Sequence, residues 1–158
     1  MTYSRFLATI AVSTVAMFVM MYLNTYAWGH VWFSQTRAWM ALYMGGGMAI
    51  VMLAAMWGMF PHRTANITGL VLAALIFLLG VFMVRSQTTV NDVSWMKAMI
   101  PHHSIAILTS SRANIEDARV RALADRIIEA QRLEIAEMEA LIADLQGGPT
   151  ATPAVDGR

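Results

Sequence analysis

The chain has 158 residues, of which 58% are hydrophobic and 13% charged, and it contains no cysteine. That composition is too apolar for an ordinary soluble domain, and the missing cysteine excludes disulfides, thiolate metal ligands and cysteine nucleophiles together. The net charge of +1 conceals an asymmetry: residues 1–91 hold four arginines and no acid, residues 92–158 seven basic and ten acidic side chains, so the parts carry +4 and −3. Single arginines between long apolar runs read as charges at membrane boundaries, and no nucleic-acid partner is expected.

The first apolar run extends from Phe6 to about Ala27 and is long enough to cross ~30 Å of hydrocarbon as a helix. A signal peptide is the competing reading, because Arg5 precedes the run, but the stretch exceeds the usual apolar core of such peptides and lacks a clear cleavage site. A second run spans Ala38 to Phe60, with Trp39, Tyr43 and Trp57 placed as interfacial aromatics, and a third spans Ile67 to Val84, closed by Arg85. Residues 1–86 are therefore expected to form three transmembrane helices running up, down and up.

Arg5 and Arg63 on one side balance Arg37 and Arg85 on the other, and the amino terminus tips the orientation towards a cytoplasmic start. That predicts a multi-pass membrane protein with everything after Arg85 outside the cytoplasm, on the side of His30 and opposite His62. Both of these histidines are read as interfacial rather than as ligands. Met40, Met44, Met48, Met52 and Met56 recur every four residues, but such a row drifts about 40° per step, so it is read as packing or lipid-facing, with a metal path as the alternative. Ala41, Gly45 and Ala49 form a small-residue row suited to close helix packing. No acid precedes Asp92, which argues against a proton or cation pathway through the spans.

Beyond the membrane region the pattern changes to an amphipathic hairpin. Asn91 is positioned to cap a helix from Asp92, Pro101 should kink it, residues 112–114 should break it, and a longer helix should follow from Ile115 to Leu145. The organisation expected is a transmembrane region 1–86, a hairpin 87–146 and a disordered tail 147–158. On the last helix Val120, Leu123, Ala124, Ile127, Ile128, Ile135, Met138, Leu141, Ile142 and Leu145 share one face. At 100° per residue, Gln131 and Glu134 fall inside that face at about 20° and about 320°. A carboxylate aimed at a core needs a donor, a cation or a metal, the plainest partner being Lys97 or an arginine. On the preceding helix Asp92, Met96, Met99 and His103 share a face, with His102 on its flank. A hairpin would set that face against Gln131, Glu134 and Met138, giving a mixed nitrogen, sulfur and oxygen site. The alternative for His102 and His103 is a polar pair packed beside a proline.

The stretch NDVSWMKAMIPHHSIAI, followed some thirty residues on by LADRIIEAQRLEIAEME, resembles the bacterial domain of unknown function family 305 over roughly residues 91–145. The matching positions are Asp92, Met96, Met99, His102, His103, Gln131, Glu134 and Met138. The resemblance implies a ferritin-like helical fold and copper binding linked to copper resistance outside the cytoplasm. It leaves the three-helix anchor unexplained. The donor types agree with copper independently: thioethers favour Cu(I) over Cu(II), imidazole accepts either, and zinc is poorly served by methionine. A di-iron site is disfavoured, because the hairpin has no Glu-x-x-His.

The all-α chain is therefore expected to sequester or hand on copper in the cell envelope, without catalysis. Met96, Met99, His102, His103 and Met138 would be ligands, and Glu134, Asp92 and Gln131 oxygen donors in or beside the coordination sphere. Two helices cannot enclose a four-helix core, so a homodimer is expected. A copper redox enzyme and a structural subunit docking a partner through the hairpin are the alternatives.

Overall fold

A computed structural model describes residues 2–150, and within them every regular element is helical: α1 Tyr3–Met20, α2 Gln35–Ala55, α3 Arg63–Ser86, α4 Asp92–Arg112 and α5 Ala118–Leu145, with single 3-10 turns at Trp28–His30 and Trp57–Met59. These helices form two compact units.

The first unit contains residues 2–21 and Gln35–Val90, that is, α1, α2 and α3. All three helices are long and apolar enough to cross a membrane. Many of their apolar side chains are exposed, among them Leu7, Val12, Val15 and Val19 on α1 and Val71, Leu75, Leu78 and Phe82 on α3. Small residues bring the helices together. Ala41, Gly45 and Ala49 are buried, as the small-residue row predicted, and Gly45 lies against the Thr14 side chain of α1. Gly46 faces α3 so closely that an added Cβ would stand 2.9 Å from the Phe77 nitrogen, and one at Gly80 would stand 2.9 Å from the Tyr43 nitrogen. The methionines of α2 are half-buried, and Met52 and Met56 pack on the cluster of Phe6, Leu53 and Phe60.

Helix boundaries in this unit differ from the sequence expectation where polar groups find partners. Arg63–Asn66 join α3 ahead of the predicted start at Ile67, because Asn66, only 1% exposed, accepts from Tyr3 Oη at 2.8 Å and donates to the Trp57 carbonyl at 3.4 Å. Arg37 is buried at the start of α2 and donates to the Met21 carbonyl. The first helix stops at Met20 rather than near Ala27, because the chain from Tyr22 belongs to the other unit.

That second unit joins Tyr22–Ser34 to α4 and α5. Its core holds Met96, Ile100, Ile107, Ile135, Met138 and Ile142, with Trp32, Met99 and Leu141 packed against them. The segment Tyr22–Ser34 is fastened to α4: the Tyr26 amide donates to Ser104 Oγ at 2.7 Å, His30 Nδ1 lies 2.9 Å from the same oxygen, and Lys97 Nζ sits 5.6 Å above the Trp32 ring. Ser104 is fully buried, so these bonds satisfy a hydroxyl that would otherwise be stranded.

Asn91 caps α4 through the Ser94 amide at 2.9 Å, as expected, and α4 continues through Pro101 to Arg112, where the break at residues 112–114 was expected. The second helix begins at Ala118 rather than Ile115, because Asp117 accepts from the Arg119 amide and caps it. Gly147 and Gly148, in the stretch expected to be disordered, instead close α5: Gly147 has φ 85°, its amide bonds to Asp144 O, and the Gly148 amide bonds to Ala143 O at 2.8 Å. This is a Schellman ending, available because glycine tolerates the left-handed position. The rest of the predicted tail, 151–158, lies outside the described residues.

Candidate metal centre

The hairpin register places the site. His103 of α4 meets Glu134 of α5, with Nε2 and Oε2 2.6 Å apart. At the open end Asp92, Trp95 and Met96 line one hollow with Leu141 and Leu145, so the helices are antiparallel and in step. From His103 back to Asp92 the steps are four, three and four residues through Met99 and Met96; from Glu134 to Leu145 they are four, three and four through Met138 and Leu141. Met99 therefore stands opposite Met138, one helical turn, about 5–6 Å, from the His103–Glu134 contact.

Hydrogen bonding fixes the chemistry of His103. Its Nδ1 lies 3.0 Å from the Met99 carbonyl oxygen, which only accepts, so Nδ1 carries a proton and Nε2 faces the carboxylate. The 2.6 Å separation is that of a hydrogen bond, so a metal ion held by His103 Nε2 would have to displace Glu134 from this position. A metal-ligating histidine commonly donates its other N–H to a backbone carbonyl, and here that arrangement is already made. Gln131 Nε2 donates to the same Glu134 oxygen at 3.2 Å. The Glu134 side chain is 51% exposed and that of His103 12% exposed.

Sequence reasoning aimed Glu134 into the core. It lies at the rim instead, paired with His103 and not with Lys97 or an arginine, because Ala124, Ile135, Met138 and Ile142 take the face towards α4. Met96 and Met138 are buried and Met99 is half-buried, whereas Asp92 is exposed in the first turn of α4. His102 is exposed, with its ring 6.2 Å from that of His103. The hairpin therefore brings His103, Glu134 and Gln131 together, sets Met99 and Met138 one turn away, and leaves His102 and Asp92 outside that group. Among the described residues no three His, Asp or Glu side chains form a metal-binding group.

Ser104 was missed by sequence reasoning, and so was the part played by His30, which contacts α4 through it. The signal was there: Ser104 falls on the helix face otherwise occupied by apolar residues, where a hydroxyl needs a partner from another segment.

Residues 84–155 match the family described as Domain of unknown function (DUF305). An uncharacterized protein, L153, of Acanthamoeba polyphaga mimivirus is 31% identical over 140 residues, covering 84% of this chain and 90% of its own. The chain belongs to the DUF305 family. The viral likeness covers more of the chain than residues 87–158 contain, so it reaches well into the apolar helices, beyond what the resemblance over residues 91–145 took in. No solved structure matches.

Proposed function

We propose that this DUF305 protein is a membrane-anchored copper-binding protein of the bacterial cell envelope that sequesters or hands on the ion without catalysing a reaction, its hairpin lying outside the cytoplasm. The observation that carries the reading is the pairing of His103 Nε2 with Glu134 Oε2, on an imidazole already oriented by the Met99 carbonyl and flanked one turn away by the thioethers of Met99 and Met138. His103, Met99 and Met138 are the primary ligands, Cu(I) is favoured over Cu(II), and Glu134 with Gln131 supplies oxygen at the rim. Met96 extends the thioether row, and His102 and Asp92 serve as outlying donors for capture. Copper on His103 Nε2 would replace its hydrogen bond to Glu134.

A ferritin-like four-helix core would be completed by a second copy. Val120, Leu123, Ile127 and Leu145, all in the predicted apolar face of α5, are between 37% and 58% exposed. This open strip continues past Glu134 on the same side of the helix, so pairing would shelter the metal site.

One observation favours a structural reading: His103 and Glu134 already satisfy each other, as they would in a hairpin that only docks a partner. Metal analysis separates the two. The detergent-purified full chain, loaded with Cu(I), Cu(II) or Zn(II), should retain about one copper per hairpin, and His103→Ala or the Met99→Ala, Met138→Ala pair should lose most of it. Equal retention by all three proteins would leave the docking reading.

A further inference from the structure

A second site lies away from His103, where Tyr22–Ser34 crosses α4. Leu23, Thr25, Tyr26 and Trp28 face Leu108 and Arg112 across an open hollow of about 200 Å³. The hollow is built into the fold, because the amide of Tyr26 is tied to the buried Ser104 hydroxyl and the turn at Trp28–His30 is held there by His30.

Its chemistry is two-sided. Leu23 is 67% exposed, and Trp28, at 83%, is the most exposed large apolar side chain among the described residues. Arg112 supplies a guanidinium with no carboxylate partner among the described residues, and no acid lines the hollow. The segment leaves α1 after Met20 and enters α2 at Gln35, so each end is joined to a helix apolar enough to cross a membrane. Trp28 is only eight residues from the end of α1, within about 28 Å of chain even when fully extended. Exposed tryptophan and tyrosine beside an uncompensated arginine, so tethered, match the headgroup layer of a bilayer.

We infer that this hollow binds the phosphate of an anionic phospholipid, with Arg112 on the phosphate and Leu23 and Trp28 against the glycerol and upper acyl chain. The inference rests on α1 and α2 being membrane spans and is independent of copper.

The test uses the full chain in bilayer discs of phosphatidylcholine with ~20 mol% phosphatidylglycerol, released into the gas phase so that retained lipids are counted. Wild type should keep about one more phosphatidylglycerol per chain than Arg112→Gln or Trp28→Ala, while Arg112→Lys keeps most of it and reports that the fold is intact. Equal lipid counts in wild type and Arg112→Gln overturn the site, as does displacement of the lipid by millimolar inorganic phosphate, which would assign the hollow to a free anion. Loss of a bound protein instead of a lipid on Arg112→Gln also overturns it. Extraction of the chain from membranes by alkaline carbonate would show that the spans themselves are misread, a failure distinct from the others.

Discussion

His103 and Glu134 separate two roles that a histidine–glutamate contact can play. Glu134→Gln keeps the size of the side chain, and its amide N–H can still meet Nε2, so a purely structural pair should tolerate it within about 1 kcal/mol. A metal site loses an anionic donor, and copper retention should fall several-fold in the same variant while thermal unfolding barely moves. Asp117 gives a residue-scale pH effect away from the site. The Arg119 side chain and backbone beside it hold its carboxyl below its ordinary value of 3.8. A lowered acid stabilises the fold above its unfolded value and loses that contribution as pH falls from there through the folded value, so the start of α5 should loosen only in strong acid. Asp117→Asn keeps a capping side chain without the charge, and amide exchange in the first turn of α5 should then lose that acid dependence.

At the scale of elements, close approach decides α2 and α3, and burial decides α4 and α5. Gly46→Leu would drive a side chain into the backbone of Phe77, a contact that cannot yield as a flexible side chain would, and should cost at least about 1–3 kcal/mol in detergent unfolding. Ile107, 1% exposed at the centre of the hairpin core, should cost about 2–5 kcal/mol as Ile107→Ala, read from thermal melting of the helical signal. The sequence made much of this legible. Uncharged apolar runs located α1, α2 and α3, and the cap at Asn91 located the start of α4. Boundaries failed where long-range partners outweighed local pattern, as at Asn66 with Tyr3, or where a cap lay beyond the predicted break, as at Asp117. In the site, helical periodicity put His103, Met99, Glu134 and Gln131 on facing surfaces. It could not tell a core position from the rim, because about 40° of helix rotation separates the two and both are apolar stripes in sequence.

For the whole molecule, the decisive contact is Ser104. Its hydroxyl is the acceptor for the Tyr26 amide and the partner of His30, and it joins segments about eighty residues apart in the chain. Ser104→Ala leaves both groups without that partner and should weaken the attachment of Tyr22–Ser34 by about 1–3 kcal/mol. Hydrogen exchange should accelerate at residues 25–31 while the α4–α5 interface stays protected; unchanged exchange there would mean that Trp32 and Lys97 alone hold the segment.

Tyr22–Ser34 precedes the family match that begins at residue 84, yet it packs with the hairpin rather than with the helices on either side of it. The unit carrying His30, His102 and His103 is discontinuous, interrupted by two of the apolar helices. A protein engineer who cut the chain at the family boundary and grafted residues 84–155 onto another anchor would carry over His103 and Glu134 but leave behind Trp32, Tyr26 and His30. The graft would strip Ser104 of its partners and remove Trp32 from the hairpin core. Transplanting the module intact requires moving a loop from between two long apolar helices along with the hairpin, and its inheritance should accordingly be that of the whole chain rather than of a detachable domain.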